Sequence, residues 1–218
     1  MSISRRTELL NWANENPNRY IVEDDYDSEF KYTGRPIPAL KATDINDKVI
    51  YLGSFSKSIS PAIRVSYLVL PKTLLNIYQK KLPYFICPVP TLNQKILYKF
   101  IKDGYFVKHI NKMRTLYKKK REFLVNMIKT YSSKILDKEI YIQGADAGLH
   151  LVIKLDKKIN EKEFLKECLE NSLKLYSLEE YNIEEIDNEV SYFLLGYANP
   201  LEVLGLPSLL RNVFSSKK

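Results

Sequence analysis

Three short apolar runs constrain this chain most. Tyr20-Ile21-Val22 leads into the acidic stretch Glu23-Asp24-Asp25-Tyr26-Asp27. Lys48 to Phe55 (KVIYLGSF) leads into Ser56-Lys57-Ser58. Arg64 to Leu70 (RVSYLVL) is closed by Pro71. Short, nearly continuous apolar runs suit strands buried on both faces of a mixed or parallel sheet. In such sheets ligands collect at the C-terminal ends of the strands. Two polar clusters, EDDYD and SFSKS, stand at strand ends here.

Helical patterns surround these runs. Residues 4–16 present an apolar face through Leu9, Leu10, Trp12 and Ala13, with Trp12 expected in the core, and Asn16-Pro17 stops them. Lys72 to Lys81 and Thr91 to Lys102 are helical, the second ended by Asp103-Gly104. A long helix over 106–131 places Ile110, Met113, Leu116, Tyr117, Phe123, Leu124, Met127 and Ile128 at three- and four-residue steps. Further strands are expected at 139–143, 148–155, 173–176 and 191–196. A helix at 160–171 opens on Asn160 with Glu163 three residues on, an imperfect capping box, and another helix covers 200–214. The expected division is 1–131, sheet and long connecting helix, and 132–218, a small C-terminal α/β domain.

Composition sets limits. The 218 residues suit one large domain or two small ones, and an apolar content of 45% is enough for a core. The net charge of +8 could mean nucleic acid or an acidic membrane surface, but 26 lysines against 8 arginines, spread along the chain, read as a solvated surface. The densest run, Lys118-Lys119-Lys120-Arg121, falls in the long helix. Cys87 and Cys168 lie in no CxxC or Cys/His cluster, so neither a metal site nor a disulfide framework is expected and a reduced, cytoplasmic setting fits. No run of about 18 apolar residues could span a membrane, and the first residues lack an apolar core of signal-peptide length.

SFSKSISPAIR, residues 54–64, places Lys57 after a strand among hydroxyls, with Arg64 seven residues on. A Schiff-base lysine needs surroundings that favour its neutral amine. A bound phosphate needs hydroxyl and guanidinium donors, which Ser54, Ser56 and Arg64 could supply. The segment alone equally suits a surface lysine in a serine-rich turn. In EDDYD, Asp24 and Tyr26 lie two apart and so point to one side of an extended strand. A carboxylate facing the pyridine nitrogen of pyridoxal 5'-phosphate keeps that ring an electron sink, and a phenol near the cofactor's own hydroxyl helps to tune it. The acidic stretch also suits a solvated strand end, and Asp25, Asp27 and Glu29 are expected either to be solvated or to hold the backbone. His150 is read as a structural hydrogen-bonding residue and His109, in the long helix, as packing or surface.

With IVEDDYDSEFKYTGRPIPALKATD, KVIYLGSFSKSISPAIRVSYLVLP, GYFVKHINKMRTLYKKKREFL and GADAGLHLVI, the chain resembles the MocR/PdxR type of GntR-family regulator. Those proteins join a winged helix-turn-helix to an aminotransferase-like domain. The resemblance implies an α/β, fold-type-I, pyridoxal-phosphate-dependent transferase-like chain holding part of the large-domain mixed sheet plus the small C-terminal α/β domain. It implies Lys57 as the Schiff-base lysine, Asp24 on the pyridinium nitrogen and Tyr26 on the ring oxygen. Ser54 and Arg64 would hold the phosphate, with Ser56 a weaker candidate. It also implies a homodimer for the complete protein, an amino acid or amine as ligand, and DNA contact only through the winged helix.

Two departures from the family pattern stand out. Met1 resembles a point midway through the aminotransferase-like domain, so the winged helix and the first half of that domain are expected to lie outside this chain. Glu179-Glu180 stand where the family often has a basic residue, and 191–200 (SYFLLGYANP) carries no arginine for a substrate carboxylate. The expected function is a cofactor-binding effector domain of a transcription regulator. The alternatives are a genuine transaminase and a non-catalytic remnant. Open sheet edges lead to an expectation of poor solubility or self-association.

Overall fold

The computed structural model describes residues 1–34, 38–135, 140–144, 146–155, 160–170, 173–181 and 190–198. In chain order the elements are α1 (Ile3–Asn14), β1 (Ile21–Asp25), α2 (Leu40–Thr43), β2 (Val49–Ser54), α3 (Phe55–Ser58), β3 (Ser66–Val69), α4 (Lys72–Lys81), α5 (Thr91–Lys102) and α6 (Tyr105–Ile135). Then come β4 (Tyr141–Gln143), β5 (His150–Leu155), α7 (Glu161–Glu170), β6 (Tyr176–Ser177) and β7 (Ser191–Gly196). Packing divides the chain into two compact units, Met1–Glu29 with Gly34–Asn111, and Phe30–Thr33 with Lys112–Lys218. No helix among the described residues is long and apolar enough to cross a membrane.

The first unit holds a mixed sheet of order β1-β2-β3, with β1 parallel and β3 antiparallel to β2. Acidic side chains hold the backbone that enters it. The Glu23 carboxylate accepts the N–H groups of Leu40 at 2.6 Å and Lys41 at 2.9 Å, and so caps α2. Asp44 accepts those of Lys48 and Val49, each at 2.8 Å, where β2 begins. The short helix α2, and α3 directly after β2, were not foreseen from the sequence, because four-residue helices carry no periodicity to read.

Two expectations need correction. Trp12 is 46% exposed, not core: the Arg19 guanidinium lies 4.9 Å from its ring centroid and donates to its carbonyl, so a cation over the indole covers it. The buried residue of α1 is Ala13. Nor are the strands buried on both faces. All four residues of β3 are exposed and Val22 is 59% exposed, while the covered side of the sheet carries Val49 and Gly53. Their β-branched and aromatic content makes them strands; it does not bury them here.

The Tyr67 ring lies over Gly53, and a Cβ there would sit 2.2 Å from Tyr67 Cζ. Tyr67 in turn packs 5.2 Å from Phe55 and 6.1 Å from Tyr51, and Phe55 meets Phe106 edge-on at 5.9 Å. Glycine at 53 therefore lets an aromatic cluster close over the end of β2.

The second unit is an antiparallel sheet of order β4-β5-β7-β6. Alternate residues of β5 and β7 (Leu151, Ile153, Leu155, Phe193, Leu195) are buried with Leu124 and Ile128 of α6 and Phe164 and Cys168 of α7. Burial, with Glu167 beside it, pushes the Cys168 thiol up to about 12, so it packs as a small apolar group. The segment Phe30–Thr33 joins this core from far away in sequence. Phe30 is fully buried edge-on to Tyr117 at 5.2 Å, and the Tyr32 hydroxyl donates to Gly148 O at 2.8 Å. Tyr32 thus ties this segment to the turn before β5. Where a strand is expected at 173–176 the structure has the two-residue strand Tyr176–Ser177, preceded by Leu173 and Leu175, which are buried in the core. The helix expected at 200–214 lies outside the described residues.

Gly53→Ala is expected to cost about 1–3 kcal/mol in urea unfolding, the usual range for overpacking. Adding Tyr67→Ala should recover part of that loss, since the ring is the obstacle. Strictly additive losses in the double variant would contradict this packing account.

Candidate functional site

Register decides which polar groups meet. β1 and β2 run parallel with Asp24 opposite Leu52 and Asp25 opposite Gly53, so both strands end at one edge of the sheet. β3 is antiparallel with Ser66 opposite Ser54, so it starts at that same edge. Phe55 N–H donates to Val65 O at 3.0 Å, which draws Arg64 alongside the start of α3. Asp24, Tyr26, Ser54, Ser56, Lys57 and Arg64 are thereby gathered at one sheet edge, where the C-terminal ends of two strands emerge.

Alternation then sorts the acidic run. Glu23 and Asp25 point to the covered face and are both committed. Glu23 caps α2. Asp25 accepts the Ser28 N–H at 3.2 Å, the Ser28 hydroxyl at 2.8 Å and the Tyr51 hydroxyl at 2.8 Å. Burial, reinforced by that bond to Asp25, raises the Tyr51 phenol far above its ordinary value, so it stays a donor. Asp24 points to the opposite face, which it shares with Ser54, and is exposed. Its carboxylate has no hydrogen bond or ion pair among the described residues.

The two cationic candidates are also uncommitted. Lys57 is exposed on the last turn of α3, and neither its side chain nor that of Arg64 has a hydrogen bond or ion pair among the described residues. Tyr26 is half exposed, and the Asp27 carboxylate, partial burial and Asp24 together hold its phenol above the ordinary value. It is a proton donor at neutral pH. The Ser54 hydroxyl oxygen accepts the Ser56 N–H at 3.1 Å, capping α3 and leaving its own O–H free to donate. Arg64 adopts a left-handed backbone, φ 49° and ψ 40°, at a cost of about 1 kcal/mol for a residue with a Cβ. Strain of this kind gathers at functional sites.

His109 is the neighbour that sequence reading missed. Its Nε2 lies 3.1 Å from the Ser58 carbonyl oxygen, one residue beyond Lys57. The two are 51 positions apart, so nothing local could have signalled the contact. Among the described residues no group of His, Cys, Asp and Glu is placed to hold a metal.

A mixed sheet with a lysine-bearing turn at its strand ends and, in the same chain, a small antiparallel α/β unit define an aminotransferase-like fold. The sequence matches aminotransferase class I and II over residues 5–184, and the chain belongs to that family. It is 39% identical over 197 residues, 90% of this chain, to the helix-turn-helix type transcriptional regulator YhdI of Bacillus subtilis. It is 32% identical over 162 residues, 74% of this chain, to the probable rhizopine catabolism regulatory protein MocR of Rhizobium meliloti. The structure of kynurenine aminotransferase from Pyrococcus horikoshii, in complex with PMP, superposes on 100% of this chain with a TM-score of 0.81 at 22% identity. The fold is therefore that of the fold-type-I pyridoxal-phosphate-dependent transferases. The chain spans 40% of the length of YhdI, 32% of that of MocR and 52% of that of the aminotransferase.

The split among the acids has a measurable consequence. Asp25→Ala should destabilise the chain by about 1–3 kcal/mol, because it strands Tyr51 and Ser28. Asp24→Ala should stay within about 0.5 kcal/mol of the parent. Comparable losses in thermal unfolding would show that Asp24 is structural after all.

Proposed function

We propose that this chain binds pyridoxal 5'-phosphate at the shared sheet edge and serves as the ligand-sensing, aminotransferase-like part of a transcription regulator. The observation that carries the reading is the uncommitted set: Asp24, Lys57 and Arg64, free of internal hydrogen bonds and ion pairs among the described residues, beside Ser54 at one edge. The donor set fits the cofactor in kind. A guanidinium and two hydroxyls suit a phosphate, a carboxylate suits a protonated ring nitrogen, and a protonated phenol suits a ring oxygen.

In this reading Lys57 holds the cofactor covalently through its amine. Arg64, Ser54 and, more weakly, Ser56 hold the phosphate. Asp24 keeps the ring nitrogen protonated, and Tyr26 donates to the ring oxygen. Bound there, the cofactor would supply an electron-withdrawing ring and a carbon at which an incoming amine can take the place of the Lys57 amine, which leaves as the free amine. The ligand sensed is an amine or amino acid, and binding shifts the balance of conformations without full turnover. The likeness to YhdI and MocR favours this over a transaminase. So do Glu179 and Glu180, acidic where a carboxylate clamp would be basic. The complete protein works as a cytoplasmic homodimer and reaches DNA through a winged helix-turn-helix.

Titration with pyridoxal phosphate followed by absorbance tests the reading. The parent chain should yield a borohydride-trapped adduct that peptide mass spectrometry locates at Lys57, and Lys57→Ala should yield none. Arg64→Ala should bind about tenfold or more weakly, the value of a charge-assisted phosphate contact. A folded parent chain that forms no adduct, or forms it on another lysine, sinks the proposal.

A further inference from the structure

We infer that His109 is a positioning residue for Lys57: its imidazole holds the Ser58 carbonyl, and with it the turn from which the lysine projects. The inference rests on the reading of Lys57 given above. A four-residue helix such as α3 leaves its last carbonyls without partners in the helix. The His109 Nε2 lies 3.1 Å from Ser58 O, and since a carbonyl can only accept, Nε2 carries the proton. Ser58 is 1% exposed and its hydroxyl has no hydrogen-bond partner among the described residues, so its side chain gives the turn no polar tether. The carbonyl contact does.

The ring of His109 is itself fixed. It packs against Phe100 at 6.2 Å, Phe100 against Phe106 at 6.4 Å, and Phe106 against Phe55 at 5.9 Å. Phe55 is the first residue of α3, so this aromatic chain leaves the short helix at one end and returns to it through His109 at the other. The start of α3 is held as well, by the Ser54 cap and the Phe55–Val65 hydrogen bond. Lys57 is thus carried on a segment fixed at both ends while its own amine stays free. A site that must place one amine against a bound carbonyl needs this arrangement.

His109→Phe keeps the ring packing and removes the donor; His109→Gln keeps a donor at nearly the same reach. Amide hydrogen exchange is read by peptide mass spectrometry on the cofactor-free full chain. Residues 55–59 should exchange about tenfold faster in His109→Phe and near the parent rate in His109→Gln, with the β5–β7 peptides unchanged. Affinity for pyridoxal phosphate should fall about tenfold in His109→Phe and recover in His109→Gln. On the parent chain, nitrogen-15 spectra should show a His109 Nε2 proton that exchanges slowly with water, a readout that does not depend on the Phe variant folding. Unchanged exchange at 55–59, loss of protection spread through both units, or a His109 ring protonated only at Nδ1 would overturn the inference. Absence of an adduct in the parent chain would instead defeat the reading of Lys57, while the exchange data still decide whether His109 holds the turn.

Discussion

Five residues of β1 lie beside five of β2 in parallel register, and the candidate site depends on that pairing. Because the strands run the same way, the chain leaves both at one edge, and the antiparallel β3 must begin there. Strand side chains alternate with a period of two, so a slip of one residue would send Asp24 to the covered face and Asp25 to the open one. The register is fixed by bonds that have nothing to do with ligand. Glu23 caps α2, Asp44 clamps the first amides of β2, and Asp25 ties Ser28 to Tyr51.

Structure and chemistry are divided among near neighbours. Of three consecutive acids the outer two are consumed by the fold and the middle one is left over. Around α3 the serines differ in the same way: Ser54 caps the helix and keeps a proton to donate, whereas Ser58 is buried with no hydrogen-bond partner for its hydroxyl among the described residues. A buried unpaired hydroxyl and a left-handed Arg64 are both unfavourable locally. Both follow Lys57 within seven residues, and the aromatic cluster of Phe55, Tyr67, Phe106 and Phe100 packs against the start of the short helix that carries it.

Much of this was legible in the sequence because its signals are local. SFSKS followed by an arginine, and an aspartate and tyrosine two apart at a strand end, are patterns within a dozen residues. The long helix was read from its periodicity and extends to Tyr105–Ile135. What could not be read needed three dimensions. Alternation separates Asp24 from Asp25, but only the hydrogen bonds show that Asp25 is occupied. Trp12 looked like core because apolar periodicity cannot foresee an arginine laid across an indole. Phe30–Thr33 packs with Gly148 across more than a hundred positions, and His109 reaches Ser58 across 51. Neither leaves a mark in any window of sequence.

The central claim is that one sheet edge, assembled by strand register, forms a site for a phosphorylated cofactor on Lys57. A crystal structure of the chain grown with pyridoxal phosphate tests it most directly. The account predicts continuous density from Lys57 Nζ into the cofactor, a carboxylate oxygen of Asp24 against the ring nitrogen, and the phosphate between Ser54 and Arg64. Cofactor bound at another lysine, or a phosphate held away from Ser54 and Arg64, would contradict it.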